Sequence, residues 1–388
     1  MLNFLIITIF FYNSFQKSDV FFTKEITPSS MVNIYKKLNT TLPGKICLKI
    51  HSGEIGGKYF LHPNFLQEIY EYLNGTFVET NTAYRSGRHT TELHKNLLKN
   101  HGWLDNNRKT IIMDEDPLLD FNLSISNPQI ISENIVGNRL KEFDSCIVLS
   151  HFKGLGMGGF GGALKQLSIG FASQAGKAWI HTAGKTSKWT ETFSSKTSQE
   201  KFTAAMGDAA SSIVEYFKKK GDIVFINVMS NISKSCDCAG GNAPKPKIKD
   251  IGILSSRDPV AIDKACLDLI KKYEDVGTND WLNQVNNKMG ENTIFVAEKH
   301  GIGKQEYNLI EVDENDEEKE DKEDKDDSEE EENEVDKKNN ENGKNNFGLK
   351  ITFIILFIIV VFGIIGYIIY KRKKTYYEET INFTDNTY

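Results

Sequence analysis

Between Cys146 and Lys185 the chain concentrates residues whose types and spacing could do chemistry. His151 and Lys153 follow an apolar run. Six glycines (Gly154, Gly156, Gly158, Gly159, Gly161 and Gly162) then fall within nine residues, and Lys165 and His181 come after them. Glycine at this density is costly to order and is tolerated where backbone bends sharply or approaches something closely. A lysine held among glycines can neutralise a carboxylate or phosphate, or act as a nucleophile if its pKa is depressed. A histidine can exchange protons near neutral pH or bind a metal. A strand that feeds a glycine loop and then a helix aims backbone N–H groups at one spot, which suits an anion. We therefore expect His151, Lys165 and His181 to be catalytic. Lys153, Gly154, Gly158, Gly159, Gly161 and Gly162 are expected to hold a small anionic ligand. Lys165 follows Ala163-Leu164, so the loop forms no Walker pattern and nucleotide hydrolysis is excluded.

Two further groups stand out. Cys236-Asp237-Cys238 precedes Ala239-Gly240-Gly241, and two thiols one residue apart could share a soft metal ion or form a strained disulfide. A zinc site would need two more ligands, which His151 or His181 could supply only through folding. Upstream, His51 and Glu54 lie in one glycine-containing loop, Arg85 and Arg88 in another, and His94 follows. Arg85 and Arg88 could grip a carboxylate or phosphate bidentately.

The elements that must position these residues read as alternating strands and helices. Strand-like runs occur at 45–50, 76–83, 110–113, 146–149, 222–228 and 250–254. Helical patterns occur at 63–73, 92–100, 163–172 and 201–219. Gly75 and Gly102 are expected to stop two of these helices. In the helix over 201–219, Met206, Ala210, Ile213 and Phe217 share a face. Asp258-Pro259 starts another helix with a capping carboxylate and a proline at its first position, and its apolar stripe makes Cys266 a core residue. The period predicts an α/β fold with a mainly parallel, Rossmann-like sheet, flanking helices, and functional loops at the strands' C-terminal ends.

The ends of the chain are of a different kind. Residues 2–12 form an apolar run of signal-peptide length, and residues 1–20 are expected to be a signal peptide, with a buried strand or an uncleaved anchor as alternatives. The α/β body is expected over 24–312 and an acidic stalk over 313–348, too poor in apolar residues to offset the entropy of ordering. Residues 349–370 are expected to be a transmembrane helix through which the chain contacts the lipid bilayer. The basic run Lys371-Arg372-Lys373-Lys374 puts the tail, 371–388, in the cytoplasm and the body on the lumenal or extracellular side. Sequons at Asn39, Asn74, Asn122 and Asn231 would then be eligible for glycosylation. The net charge of −6 mostly reflects the stalk and argues for no nucleic-acid role.

LSHFKG, GGFGGALKQ, GKAWIHTAGK, CDCAGG and DIGILSSRDPVAIDKAC, together with KICLKIHSGEIGG and ETNTAYRSGRHTTELH, resemble in order the domain of unknown function 362 family over residues 45–312. Many members of that family carry ferredoxin-type clusters. The cysteines that bind them lie between the positions of His181 and Phe202, where this chain has KTSKWTETFSSKTSQEK, so the resemblance implies no [4Fe-4S] cluster here. The loop is also similar to one in nickel-dependent lactate racemases whose lysine tethers a nickel cofactor. Phe160, Gly161, Gly162 and Lys165 correspond to it, with Lys165 one residue late, Leu155 in place of a histidine and Gln166 in place of an asparagine. The resemblance implies a metal- or anion-dependent enzyme of redox or isomerase type. The competing expectation is a non-catalytic, membrane-anchored binding protein that keeps the fold.

Overall fold

The computed structural model describes residues 17–195 and 197–312, and the statements below concern those residues. The acidic stalk, the apolar span and the basic tail lie outside them, as do residues 1–16 of the expected signal peptide. No described helix is long and apolar enough to cross a membrane.

The chain runs β1 (Ser18–Thr23), α1 (Pro28–Lys36), β2 (Ile46–Lys49), α2 (Gln67–Leu73), β3 (Thr76–Glu79), α3 (Thr91–Asn100) and β4 (Thr110–Ile112). A hairpin, β5 (Phe121–Ser124) and β6 (Glu133–Val136), leads to β7 (Ser145–His151), and a second hairpin, β8 (Lys153–Leu155) and β9 (Gly159–Gly161), leads to α4 (Gln174–His181). Then come α5 (Gln199–Lys220), β10 (Ile223–Met229), β11 (Gly252–Ser256), α6 (Pro259–Lys272), α7 (Thr278–Asn287), α8 (Gly290–Lys299) and β12 (Tyr307–Glu311).

Eight strands form one sheet in the order β12-β1-β11-β10-β7-β2-β3-β4. β10, β7, β2, β3 and β4 are parallel. β11 runs antiparallel to both its neighbours, and β12 runs parallel to β1. The expected α/β architecture with a mainly parallel sheet is therefore present. The body begins earlier than Lys24, because β1 pairs with β11 and buries Val20 and Phe22, so a boundary at residue 20 would cut a core strand.

Side chains alternate across the sheet with period two. Cys146 and Val148 of β7 pack with α5 and α6 on one face, whereas Ile147 and Leu149 pack with α1 and α2 on the other. Met206, Ala210, Ile213 and Phe217 of α5 are all buried, and Cys266 is fully buried in α6. Asp258 caps α6, accepting from Val260 N and Ala261 N at 2.8 Å each. The stop of α2 is Asn74, which takes the left-handed conformation (φ 45°) expected of Gly75.

The chain leaves β2 toward β3 and β4 on one side, and later adds β7 and β10 on the other. Loops after β2 and β7 thus diverge, opening a crevice at the strands' C-terminal ends where such sheets bind ligands.

Candidate functional site

Two buried charge clusters floor this crevice. At the end of β3, Glu79 accepts from Lys49 Nζ at 3.1 Å, Arg88 Nη1 at 3.2 Å, and Ser52 N and Oγ at 2.9 and 3.0 Å. Arg88 also donates through Nε to Glu54 at 3.3 Å. Burial alone would raise the Glu79 pKa, but Lys49 and Arg88 outweigh it and hold the carboxyl well below its usual range. In the second cluster Asp237, between the two cysteines, accepts from His151 Nδ1 at 2.9 Å and Lys153 Nζ at 2.6 Å. His151 donates its other ring proton to Ser230 O at 2.7 Å. Burial opposes ionisation of Asp237 as well, and His151 and Lys153 again prevail.

Above these clusters lies a cavity of about 380 Å³. Lys165, Gln166, Tyr84, His181, Lys177 and Cys236 line it, with Phe193, Phe202 and Ile169 giving it apolar walls. Among the described residues no side chain pairs with Lys165 Nζ. Tyr84 Oη, both amide atoms of Gln166 and His181 Nδ1 are buried without hydrogen-bond partners. Buried polar atoms are nearly always satisfied, so unpartnered groups sharing one cavity point to something that binds there. His181 stacks on Phe202 with ring centroids 4.8 Å apart, and burial, aided by Lys177 and Lys165, lowers its pKa to about 4. Burial also lowers Lys177 to about 7 despite Asp114 and Glu79, while its Nζ donates to Thr80 Oγ1 and, at 2.6 Å, to Ala172 O. At neutral pH the cavity therefore holds a neutral imidazole and an amine poised between its two states.

The backbone beneath Lys165 differs from the expected helix over 163–172. One α turn, Ala163–Lys165, widens into a π turn, Gln166–Gly170. The N–H groups of Ala163 and Leu164 do not await an external anion, because Asp263 of α6 accepts both at 2.8 and 2.9 Å.

Cys236 Sγ lies 3.8 Å from His51 Nε2 and 3.5 Å from the Cys238 N–H. All five cysteines are free thiols. Among the described residues no group of three or more His, Cys, Asp or Glu side chains is arranged to hold a metal ion.

A family model described as Domain of unknown function (DUF362) matches residues 46–268, more than half of the chain. The chain belongs to the DUF362 family. No curated protein matches it. Among solved structures, a protein from Thermotoga maritima is 10% identical with a TM-score of 0.38, covering 70% of this chain and 58% of that one. The lactate racemase apoprotein from Thermoanaerobacterium thermosaccharolyticum is 11% identical with a TM-score of 0.36, covering 62% and 57%. This chain thus spans under two thirds of either, and overlaps this low leave the chemistry of the DUF362 domain to its own residues.

In this DUF362 domain Lys165, His181, Arg88, Cys236 and Cys238 do meet at one cavity. His151 and Lys153 are instead buried against Asp237 and do not line it, so they position the Cys236 loop. Arg85 is exposed and lies outside the lining, and Arg88 grips the protein's own carboxylates. Gly154, Gly158, Gly159, Gly161 and Gly162 do not line the cavity. They build the β8–β9 hairpin and its exit. Gly159 takes φ +85°, and a Cβ on Gly162 would sit 2.3 Å from Asp263 Oδ1. Sequence reasoning missed Lys49, Glu79, Asp237 and Lys177. A charge near the C-terminal end of an otherwise apolar strand was the available signal for Lys49 and Glu79.

Proposed function

We propose that this DUF362 domain is an enzyme that binds a small carboxylate and moves a proton on the carbon beside it, an isomerase-type reaction. The observation that carries the reading is the set of unsatisfied groups of Tyr84, Gln166 and His181 around an unpaired lysine in one largely apolar cavity. The carboxylate pairs with Lys165, and Tyr84 Oη and the Gln166 amide donate to it. In a site that excludes water, these fixed donors stabilise negative charge spreading from the carbon into the carboxylate. His181, neutral at pH 7, takes the proton, and Lys177 stands ready to return one. The buried pairs of Glu79 and Asp237 hold the surrounding loops in register.

The test is to incubate the full chain with short 2-hydroxy and unsubstituted carboxylates in heavy water and to follow deuterium at the carbon beside the carboxylate by NMR. Exchange that disappears in His181→Gln supports the reading, and a folded protein that exchanges none of them contradicts it.

With this goes the proposal that residues 349–370 anchor the domain to a membrane and that the body faces the lumen or exterior. The charge-free span and its basic flank support it, and all four sequon asparagines, Asn39, Asn74, Asn122 and Asn231, are exposed. A mobility shift on enzymatic deglycosylation, lost when the four are changed to Gln, is the expected outcome.

A further inference from the structure

Cys236 is unexplained by proton transfer alone. It lies in the cavity wall yet is itself almost wholly buried, 3% exposed. The Cys236 sulfur faces donors from separate segments. His51, after β2, has Nε2 3.8 Å away, and its Nδ1 accepts from Gly53 N at 3.2 Å, which leaves the ring proton on Nε2, directed at the sulfur. The Cys238 N–H approaches at 3.5 Å. Lys165 from the helical turn and Lys153 from β8 add positive potential, Asp237 opposes it, and the neutral Tyr84 phenol and the Cys238 thiol are neighbours. The hydrogen bond shared with Cys238, ahead of the opposing effect of burial, and then the two lysines place Cys236 well below the usual thiol range. Cys238 is correspondingly pushed up by that shared bond and by burial.

We propose that Cys236 is a nucleophile that adds to short 2-unsaturated carboxylates bound in this cavity, with the His51 Nε2–H steadying its sulfur and the Lys177 ammonium as proton donor. The inference rests on the carboxylate reading above and names its substrate class. The thiolate forms a bond to C3. The C2–C3 π pair moves to C2 and delocalises into the carboxylate paired with Lys165, and C2 takes a proton from the Lys177 ammonium, which recovers it on reversal. Reversal after rotation about the C2–C3 single bond returns the acid with the other double-bond geometry, so electrons and protons balance without an oxidant or reductant. The same carbon, C2, is the one on which the acid–base pair acts.

Acrylate and acrylamide are nearly isosteric Michael acceptors that differ in charge, and they separate the two ideas. The full chain is treated with each at pH 6 to 8, and the modified cysteine is located by peptide mass spectrometry. The proposal predicts modification of Cys236 rather than Cys238. It also predicts a rate with acrylamide that is nearly flat across this range, where a free cysteine climbs about tenfold per unit below its pKa. Acrylate should react at least tenfold faster than acrylamide, a preference lost in Lys165→Met. A Cys236 rate that climbs like free cysteine, or labelling of Cys238 instead, overturns the nucleophile. A flat rate with no preference for acrylate keeps the nucleophile but overturns the substrate class and the anion site with it. Because the first two readouts use the unmodified chain, a variant that fails to fold leaves the test intact.

Discussion

Asp237→Asn is the most informative single change to the frame of the site. The carboxylate accepts from His151 Nδ1 at 2.9 Å and Lys153 Nζ at 2.6 Å, and all three side chains are buried. The substitution preserves shape but leaves Lys153 as a buried cation without its counter-charge. Breaking a buried pair from one side costs about 3–5 kcal/mol, enough to lower the folding equilibrium by roughly two to three and a half powers of ten. Urea unfolding followed by the fluorescence of the buried Trp103 and Trp281 measures it. Lys153→Met should be similarly harmful alone, and the double variant should recover at least about 1–2 kcal/mol of the summed losses, because the pair is coupled. The sign of the pH dependence follows from the depressed carboxyl. Its contribution is fully present above the unfolded pKa of about 3.9 and is lost as pH falls toward the folded value, so the gap between native and Asp237→Asn proteins narrows below about pH 4. A loss under about 1 kcal/mol at pH 7, or strict additivity in the double variant, would refute the reasoning.

Other outcomes follow from the same geometry. Arg88→Met, which strands Glu54 and leaves Glu79 with Lys49 as its one cationic partner among the described residues, should cost about 3 kcal/mol or more, while exposed Arg85→Ala should stay within about 0.5 kcal/mol, both by urea unfolding. Gly162→Ala must push a Cβ into Asp263, and the overpacking should cost about 1–3 kcal/mol in the same assay. His94 is fully buried, its pKa is lowered to about 3 chiefly by burial, and it contacts Asn81 Oδ1 at 3.1 Å. The unfolded chain takes up this proton first, so stability held above about pH 6.5 is lost as pH falls toward 3. His94→Gln should flatten that part of the stability profile, measured by urea midpoints between pH 7 and 4.

The sheet was legible because near-continuous apolar runs such as DIVFINV and fourfold-spaced helical stripes report burial directly. The direction of β11 was not, since a buried strand has the same apolar pattern whichever way it runs. Of the residues singled out by type, Lys165, His181, Arg88, Cys236 and Cys238 reach one cavity, whereas His151 and Lys153 pair with Asp237. Glycines in quantity suggest an anion nest, but here they let β9 and the following turn pack against α6 and α7, and Asp263, which sequence shows only as one residue inside a helix, fills the nest from within. His151 and Lys153 looked like free reagents because Asp237, their partner, lies more than eighty residues away. Lys49 and Glu79 sit in strands whose apolar neighbours imply core, and only the packed sheet reveals that two such charges meet. Lys165 and His181 stood out by type and do reach the cavity, because the short α turn Ala163–Lys165 and α4 bring them there.

The central claim, that the cavity is built for a small carboxylate, is tested most directly by calorimetric titration of the full chain with propionate and with propionamide, repeated in Lys165→Met. If Lys165 is the unpaired cation awaiting that group, propionate binds at least about tenfold more tightly than propionamide, worth about 1.4 kcal/mol, and the two become equal in the variant. Equal affinities in the native protein, or a preference that survives in folded Lys165→Met, would contradict it.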